Sequence, residues 1–269
     1  MAARVRLDRE LVRRGLAPSR EAATQAVLAG RVLVGGAVAA KPSTLVAPSD
    51  ALALSGPPRP WASRGGEKLA PAIDRLGVAV AGRRCLDAGA STGGFTDVLV
   101  ALGAAEVVAV DVGYGLLDLR LRNHPTVRVL DRTNVRTLGP DQAGGTFDLI
   151  TADLSFISLS TVMPALAGLA APGADLVLLV KPQFEAGRAA VGRGGVVRDA
   201  AARATAVRSV AAAAASHGLG VAGICPSARP GPAGNLELFL HLHAGAGVLD
   251  EAALAAARAE GAALPGAAT

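Results

Sequence analysis

Four apolar runs in the middle of the chain each lead into an aspartate, and this repeat restricts the possible folds more than any other feature. The four acids are Asp87, Asp111, Asp131 and Asp153. Short apolar runs that alternate with helical patterns are typical of parallel strands buried on both faces. The pattern therefore predicts an α/β fold with a doubly wound, mostly parallel sheet, whose strands end at one common edge.

The alternation of strands and helices continues from about residue 80 to residue 245. After the four runs, it predicts two further strands at residues 175–180 and 236–243, with a long alanine-rich helix at 198–217 between them. Residues 246–269 are expected to form one short helix and a flexible tail.

The first 60 residues differ from the rest of the chain in charge. They carry nine cationic and four anionic side chains, whereas the remainder carries 18 of each. Helical patterns followed by short apolar runs predict a small α+β domain over residues 1–56, joined by a proline-rich linker (57–64) to the larger domain (65–245). Such a concentration of positive charge indicates an N-terminal domain that binds a polyanion, such as RNA.

Several classes of protein are disfavoured by composition. About half of the chain (51%) is hydrophobic, yet no apolar run reaches the roughly 18 residues of a membrane span. Charged residues near the start leave no apolar core for a secretion signal, so a cytoplasmic location is expected. Cys85 and Cys225 are expected to be buried thiols, and His241 and His243 lack a third metal ligand, so we expect no metal site. A monomer is favoured.

The segment from Asp87 to Thr96, DAGASTGGFT, is the main candidate for a ligand site. Its glycines allow a ligand close to the backbone, and the helix that follows offers free N–H groups. The glycine spacing differs from G-x-G-x-x-G and from the P-loop, which argues against a dehydrogenase. The leading acid suits a positively charged ligand such as a sulfonium amino acid, although a simple strand–helix turn is the alternative.

The ends of the later strands extend this candidate site. Asp111 lies about 20 residues past the glycines, where a carboxylate can accept hydrogen bonds from ribose hydroxyls. Each strand-end acid could instead cap a helix. The candidate cofactor-binding residues are Asp87, Gly89, Ala90, Ser91, Thr92, Gly93, Gly94, Phe95, Thr96, Asp111, Asp131 and Asp153.

Two lysines and two acids form a second candidate group. Lys181 follows a strand, Lys68 precedes the first core strand, and Glu237 lies among apolar residues that would leave a buried acid in need of a partner. If Lys68, Asp153, Lys181 and Glu237 converge, burial and a second cation would favour the neutral form of Lys181. That form could accept the proton of a ribose 2′-hydroxyl. Ordinary surface ion pairs are the alternative.

The combination of motifs resembles the TlyA family, whose older name is haemolysin. The matching segments are DAGASTGGFT at 87–96, ADLSFIS at 152–158, LVKPQFE at 179–185 and NLE at 235–237. The resemblance covers nearly the whole chain. It implies an S4-type RNA-binding domain before a Rossmann-like class I methyltransferase domain with a seven-stranded sheet. It also implies S-adenosylmethionine-dependent 2′-O-methylation of cytidine in 16S and 23S ribosomal RNA, with Lys68, Asp153, Lys181 and Glu237 as the catalytic tetrad.

Candidate RNA contacts lie in both domains. Phosphate contacts are expected from Arg4, Arg6, Arg20 and Lys41 of the first domain, unless these form only a solvated charged face. In the second domain, Arg64 and Arg132 extend the basic surface. Phe156 either stacks on an extruded base or belongs to the core.

Two other functions compete with the methyltransferase. A membrane-active haemolysin would need an amphipathic or membrane-spanning segment, and no run of the needed length is present. A non-catalytic RNA-binding factor in ribosome assembly would predict a broken tetrad or a missing Asp111, yet every position is filled.

Overall fold

A computed structural model describes residues 4–17, 19–28, 30–55 and 60–268, apart from the side chain of Arg188. The chain forms two compact units, Met1–Pro60 and Trp61–Thr269. Residues 57–59 of the expected linker lie outside the described residues.

The N-terminal unit packs two helices against short strands. The helices are α1 (Leu7–Arg13) and α2 (Arg20–Leu28). Its strands are β1 (Val5–Arg6), β2 (Val32–Val34), β3 (Ala37–Val38), β4 (Leu45–Val46) and β5 (Leu52–Leu54). Strands β1 and β4 form one antiparallel pair, and β3, β2 and β5 form a second sheet. Leu7, Leu11 and Val46 are among the fully buried residues that make this small α+β core.

The C-terminal unit is built on one seven-stranded sheet. Its strands are β6 (Arg84–Ala88), β7 (Glu106–Val110), β8 (Val127–Leu130), β9 (Phe147–Ala152), β10 (Ala170–Val180), β11 (Leu219–Pro226) and β12 (Leu238–Ala244). The order across the sheet is β11-β12-β10-β9-β6-β7-β8, and β12 alone among these seven runs antiparallel to its neighbours. The predicted doubly wound, mostly parallel sheet is confirmed.

Helices cover both faces of this sheet. They are α3 (Arg64–Leu76), α4 (Gly94–Ala101), α5 (Leu119–Arg122), α6 (Pro140–Ala143), α7 (Leu159–Leu169), α8 (Pro182–Glu185), α9 (Ala200–Ala215) and α10 (Glu251–Ala262). Alternate strand residues enter separate cores, with Leu86 and Ile150 on one face and Cys85 and Leu149 on the other. Burial on both faces explains why these strands are almost wholly apolar.

The structure differs from the sequence prediction at the end of the sheet. Strand β11 was not predicted from the pattern, and β12 begins at Leu238, so Glu237 precedes the strand instead of lying within it. Beyond α10, where a flexible tail was expected, the backbone N–H of Ala268 donates to the carbonyl of Gly234 at 2.8 Å.

Candidate active site

The four strand-end aspartates lie at one edge of the sheet. Asp87 is the second-last residue of β6, and Asp111, Asp131 and Asp153 directly follow β7, β8 and β9. Strand β6 pairs with β7 on one side and with β9 on the other, so the strand order reverses there. Ligands of open α/β sheets bind in the crevice at such a reversal, which places the candidate site beside β6.

The glycines of the 87–96 segment are required by close packing. Gly89 has a φ of +84°, and a Cβ atom there would lie 2.8 Å from the carbonyl oxygen of Asp153. A Cβ on Gly93, whose φ is +97°, would lie 2.4 Å from the side chain of Leu121. Helix α4 begins at Gly94, so its free N–H groups point towards this tight loop. A side chain at either position would force the loop or its neighbours to shift.

Asp87 is a fully buried carboxyl group with only part of its hydrogen-bonding capacity used. Its Oδ2 atom accepts from the Thr96 hydroxyl at 2.6 Å. Its Oδ1 atom has no hydrogen-bond partner in the part of the chain that the structure describes. Burial raises the pKa of Asp87 to about 7, with the hydrogen bond from Thr96 opposing the shift and the nearby Asp153 and Asp111 carboxylates adding to it. A positive charge nearby would favour the ionised form.

Asp111 and Asp131 are held by contacts of their own. The two carboxylate oxygens of Asp111 accept from the backbone N–H groups of Ser91 (2.8 Å) and Gly113 (2.7 Å). Each oxygen keeps a further acceptor site, so ribose hydroxyls can still bind. Asp131 forms an ion pair with Arg122 at 2.6 Å.

This edge of the sheet fits a cofactor that carries positive charge. The carboxylates of Asp153 and Asp111 lie close enough to Asp87 to contribute to the raised pKa of that buried group. The glycines keep Cβ atoms out of the loop, and the unused Asp87 oxygen gains from a nearby cation. A sulfonium nucleoside such as S-adenosylmethionine, with its ribose and its amino group, matches this set of acceptors.

The candidate tetrad is assembled from four elements as two ion pairs. Lys68 of α3 pairs with Glu237 at 2.6 Å, and Lys181, after β10, pairs with Asp153 at 2.5 Å. Lys68, Lys181 and Glu237 are 7%, 8% and 1% exposed. The Lys68–Glu237 pair is buried, and Lys181 is buried beside a half-buried Asp153, so the alternative of ordinary surface ion pairs is wrong.

The strand register brings the two ion pairs together. Val180 lies opposite Leu238, and therefore Lys181 and Glu237 leave adjacent antiparallel strands at neighbouring positions. On the other side of β10, Leu178 lies opposite Ala152, which precedes Asp153. Opposed residues in such sheets have Cα atoms roughly 5 Å apart. All four side chains are consequently grouped at one end of β9, β10 and β12.

Ser155 and Glu185 were not selected from the sequence, although both lie within the motifs that carried the resemblance. The Lys181 ammonium donates to the Ser155 hydroxyl at 3.1 Å. Glu185 accepts hydrogen bonds from Ser158 and Leu159 in the segment that follows β9. Ser155 lies two residues after Asp153 and Glu185 four residues after Lys181, and this proximity to the candidate tetrad was the signal available in the sequence.

Among the residues that the structure describes, three other than glycine have a positive φ, and all three follow strands at the candidate edge. They are Ser91 (+48°), Arg132 (+52°) and Phe156 (+64°). Residues that carry a side chain rarely adopt a positive φ, and those that do cluster at binding sites. Phe156 is 93% exposed and contacts the ring of Phe184 at a centroid distance of 5.3 Å. The alternative that Phe156 belongs to the core is wrong.

The candidate RNA contacts of the N-terminal unit are partly organised around one acid. Arg6 binds Asp8 with two hydrogen bonds of 3.1 and 2.9 Å, and Arg20 reaches the same carboxylate at 3.1 Å. The hydrogen bond from Arg6, opposed by burial and supported by Arg20, lowers the pKa of Asp8 to about 2. Two guanidinium groups on one carboxylate leave a net positive charge. Arg4 and Lys41 are exposed.

The candidate RNA contacts of the C-terminal unit lie near its crevice. Arg64 is exposed in the first turn of α3. The guanidinium of Arg132 stacks over the ring of Tyr114 at 4.4 Å from its centroid. Tyr114 itself is 68% exposed, so the pair presents a charged and aromatic surface to solvent.

Other expectations concern thiols, metals and membranes. Cys85 and Cys225 are free and buried, as expected. His241 is paired with Asp175 at 2.7 Å. Among the described residues, no cluster of ligands could hold a metal ion, and no helix combines the length and apolarity needed to cross a membrane.

The sequence model of FtsJ-like methyltransferases matches residues 61–244, and that of the S4 domain matches residues 5–52. These ranges carry the seven-stranded sheet with its crevice and the small basic unit. Fold, site and family together define a methyltransferase with an N-terminal S4 domain.

Individual relatives show to which branch of these methyltransferases the chain belongs. The 16S/23S rRNA (cytidine-2′-O)-methyltransferase TlyA of Mycobacterium tuberculosis is 54% identical over 90% of this chain and 91% of its own length. Hemolysin A of Brachyspira hyodysenteriae is 36% identical over 72% of this chain and 81% of its own. A solved structure of a hemolysin candidate from Streptococcus thermophilus is 35% identical, covers 97% of this chain and 96% of its own, and superposes with a TM-score of 0.75. The chain belongs to the TlyA branch of the FtsJ-like methyltransferase family.

Proposed function

We propose that this enzyme transfers the methyl group of S-adenosylmethionine to the ribose 2′-oxygen of cytidine in 16S and 23S ribosomal RNA. The observation that supports this most directly is the presence of two ion pairs beside the glycine loop, the buried Lys68–Glu237 pair and the largely buried Lys181–Asp153 pair. The substrate of the 54% identical TlyA relative supports the choice of RNA.

The cofactor would lie along the carboxyl edge of β6 and β7. The glycine loop and the start of α4 would hold its methionine end, and Asp111 would accept hydrogen bonds from its ribose. When bound, S-adenosylmethionine supplies an electrophilic methyl group on a positively charged sulfur. The acidic rim would stabilise that positive charge.

Lys181 is the proposed base or activator of the 2′-hydroxyl. Its ammonium is held between Asp153 at 2.5 Å and Ser155 at 3.1 Å, so its position is defined from two sides. A 2′-oxygen that gains a methyl group must lose its proton, and Lys181 in its neutral form would accept that proton at Nζ. Glu237 would hold Lys68, the second cation of the site, through their ion pair.

The RNA would be held by both units. In the N-terminal unit, Arg4, Arg6, Arg20 and Lys41 would contact phosphates, and in the C-terminal unit Arg64 and Arg132 would do so. Phe156 is exposed at the rim and would stack on a cytosine base turned out of its helix.

Methyl transfer tests the proposal directly. Ribosomal subunits from a strain that lacks the protein would be incubated with tritium-labelled S-adenosylmethionine, and primer extension at low dNTP would locate the product. We expect label at a ribose 2′ position of a cytidine in each subunit. If the cofactor binds and neither subunit becomes labelled, ribosomal RNA is not the substrate.

A matched pair of lysine substitutions tests the role of Lys181. Lys181→Arg keeps a cation beside Asp153 but cannot give up its proton, so turnover should fall below about 1% with cofactor affinity unchanged. Lys41→Arg makes the same change where only positive charge is needed, and should retain turnover. Near-normal turnover of Lys181→Arg would exclude proton transfer to this residue.

A further inference from the structure

Besides the Lys181–Asp153 ion pair, three sets of side-chain contacts connect the segments that leave β9 and β10. The exit loop of β9, residues 155–159, lies against Lys181 and the short helix α8. Lys181 contacts Ser155, Phe184 contacts Phe156, and Glu185 contacts the start of α7. The first two contacts involve groups that the proposed reaction uses directly, and the third anchors the far end of the same loop.

Glu185 makes two short hydrogen bonds to the end of this loop. Its Oε2 atom accepts from the Ser158 hydroxyl at 2.5 Å, and its Oε1 atom accepts from the backbone N–H of Leu159 at 2.6 Å. Ser158 is also the N-cap of α7, because its hydroxyl accepts from the N–H of Ser160 at 3.1 Å. A carboxylate from a neighbouring segment therefore completes the helix cap and fixes where the loop ends.

The backbone conformation of Phe156 requires that the exit loop be held in place. Its φ of +64° is a conformation that a phenylalanine seldom adopts, and it persists only where the surroundings impose it. The ring is almost entirely exposed, so little burial of its own holds it in place. Its backbone lies between two anchors, the Ser155–Lys181 contact on one side and the Glu185 contacts on the other.

We infer that Glu185 is a positioning residue for methyl transfer, which holds the exit loop so that Ser155 stays on Lys181 and Phe156 stays at the rim. The inference rests on the proposed function. Glu185 is half-buried, and burial raises its pKa while the hydrogen bond from Ser158 opposes that rise. Partial burial of the Glu185 carboxylate therefore costs free energy, although a solvent-exposed residue could cap α7 equally well.

Three variants separate positioning from general stability. Glu185→Ala removes both hydrogen bonds. Glu185→Gln keeps an acceptor for the Leu159 N–H, and the Ser158 hydroxyl can rotate to accept from its amide group. Asp250→Ala is the matched control, because Asp250 caps α10 by accepting from the Ala252 N–H at 2.9 Å and is exposed.

The full-length variants would be compared by amide hydrogen exchange of residues 155–161, by cofactor affinity, and by kcat and KM on the labelled ribosomal subunits. Glu185→Ala should exchange faster in that segment and lose about tenfold or more in kcat, because small displacements of reacting groups are costly. Its cofactor affinity should change less than about twofold, since the loop of residues 87–96 is untouched. Glu185→Gln should recover most of kcat, and Asp250→Ala should lower only the unfolding midpoint.

The outcomes distinguish the two proposals. Unchanged exchange of residues 155–161 in Glu185→Ala, measured without any substrate, would overturn the positioning role whatever the enzyme methylates. A kcat equal to that of Asp250→Ala, or a Glu185→Gln variant as slow as Glu185→Ala, would also overturn it. Absence of label with the wild-type enzyme would instead refute the proposed RNA substrate.

Discussion

Replacement of Asp87 by asparagine is the substitution whose effect on stability can be worked out most fully. The carboxyl group is completely buried, and its Oδ2 atom accepts from Thr96 at 2.6 Å. Asparagine has nearly the same shape and can keep the Thr96 hydrogen bond through its amide oxygen. The variant therefore removes an ionisable group from the interior and leaves its packing in place.

The size of the effect follows from the difference between the folded and unfolded pKa. Burial raises the pKa of Asp87 from its ordinary value of 3.8 to about 7, so the folded protein binds a proton more tightly than the unfolded chain. The favourable contribution is complete below pH 3.8 and is lost as the pH rises through 7. Between pH 5 and pH 8 the loss amounts to roughly 3 kcal/mol, at about 1.4 kcal/mol for each pH unit up to 7.

Urea unfolding at pH 5 and pH 8 would measure this contribution. The free energy of unfolding of Asp87→Asn minus that of wild type should increase by about 3 kcal/mol from pH 5 to pH 8, because only the wild type loses stability over this range. The control is Asp250→Asn, which makes the same change at an exposed helix cap, outside the buried environment that raises the pKa of Asp87. A pH-independent difference for Asp87→Asn would refute the assignment of the raised pKa to this group. The variant should also bind the cofactor more weakly, because an amide carries no charge.

Three further predictions concern the RNA surface and the S4 unit. Replacing Arg6, Arg20 and Lys41 by glutamine should reduce the slope of log K against log salt by about one for each lost phosphate contact, measured by filter binding, and an unchanged slope would exclude these residues from the interface. The pKa of Asp8, about 2, implies stability that is present above pH 3.8 and lost as the pH falls towards 2. Amide hydrogen exchange of α1 should therefore be slower in wild type than in Asp8→Asn above pH 3.8, and this difference should disappear as the pH falls towards 2. A difference that stays constant over this range would count against the lowered pKa of Asp8. Phe156→Ala should leave the unfolding midpoint unchanged, since the ring is 93% exposed, but lower kcat/KM on RNA by about tenfold; equal kcat/KM would remove the stacking role.

The parallel sheet and the location of its crevice could be predicted from sequence because local patterns carry them. Strands buried on both faces are largely apolar along their length, and the acidic residues of the candidate site stand where strands end, as at Asp111 and Asp153. Strand β11 escaped prediction because its run contains glycine, alanine and a final proline, which are weak strand formers. Only its pairing with β12 makes it a strand.

The sequence by itself determined which residue types stand at the strand ends, where the basic charge is concentrated and which glycines form the candidate ligand-binding loop. Tertiary structure alone decided that Lys68 pairs with Glu237, 169 residues away, that Phe156 is exposed, and that Glu185 reaches the start of α7. The physical reason is that periodicity and helix or strand preference are local, whereas ion pairing and burial depend on strand register and on segments far apart in the chain. A residue's chemistry can be read from its letter, but its partner is known only once the sheet has brought the two together.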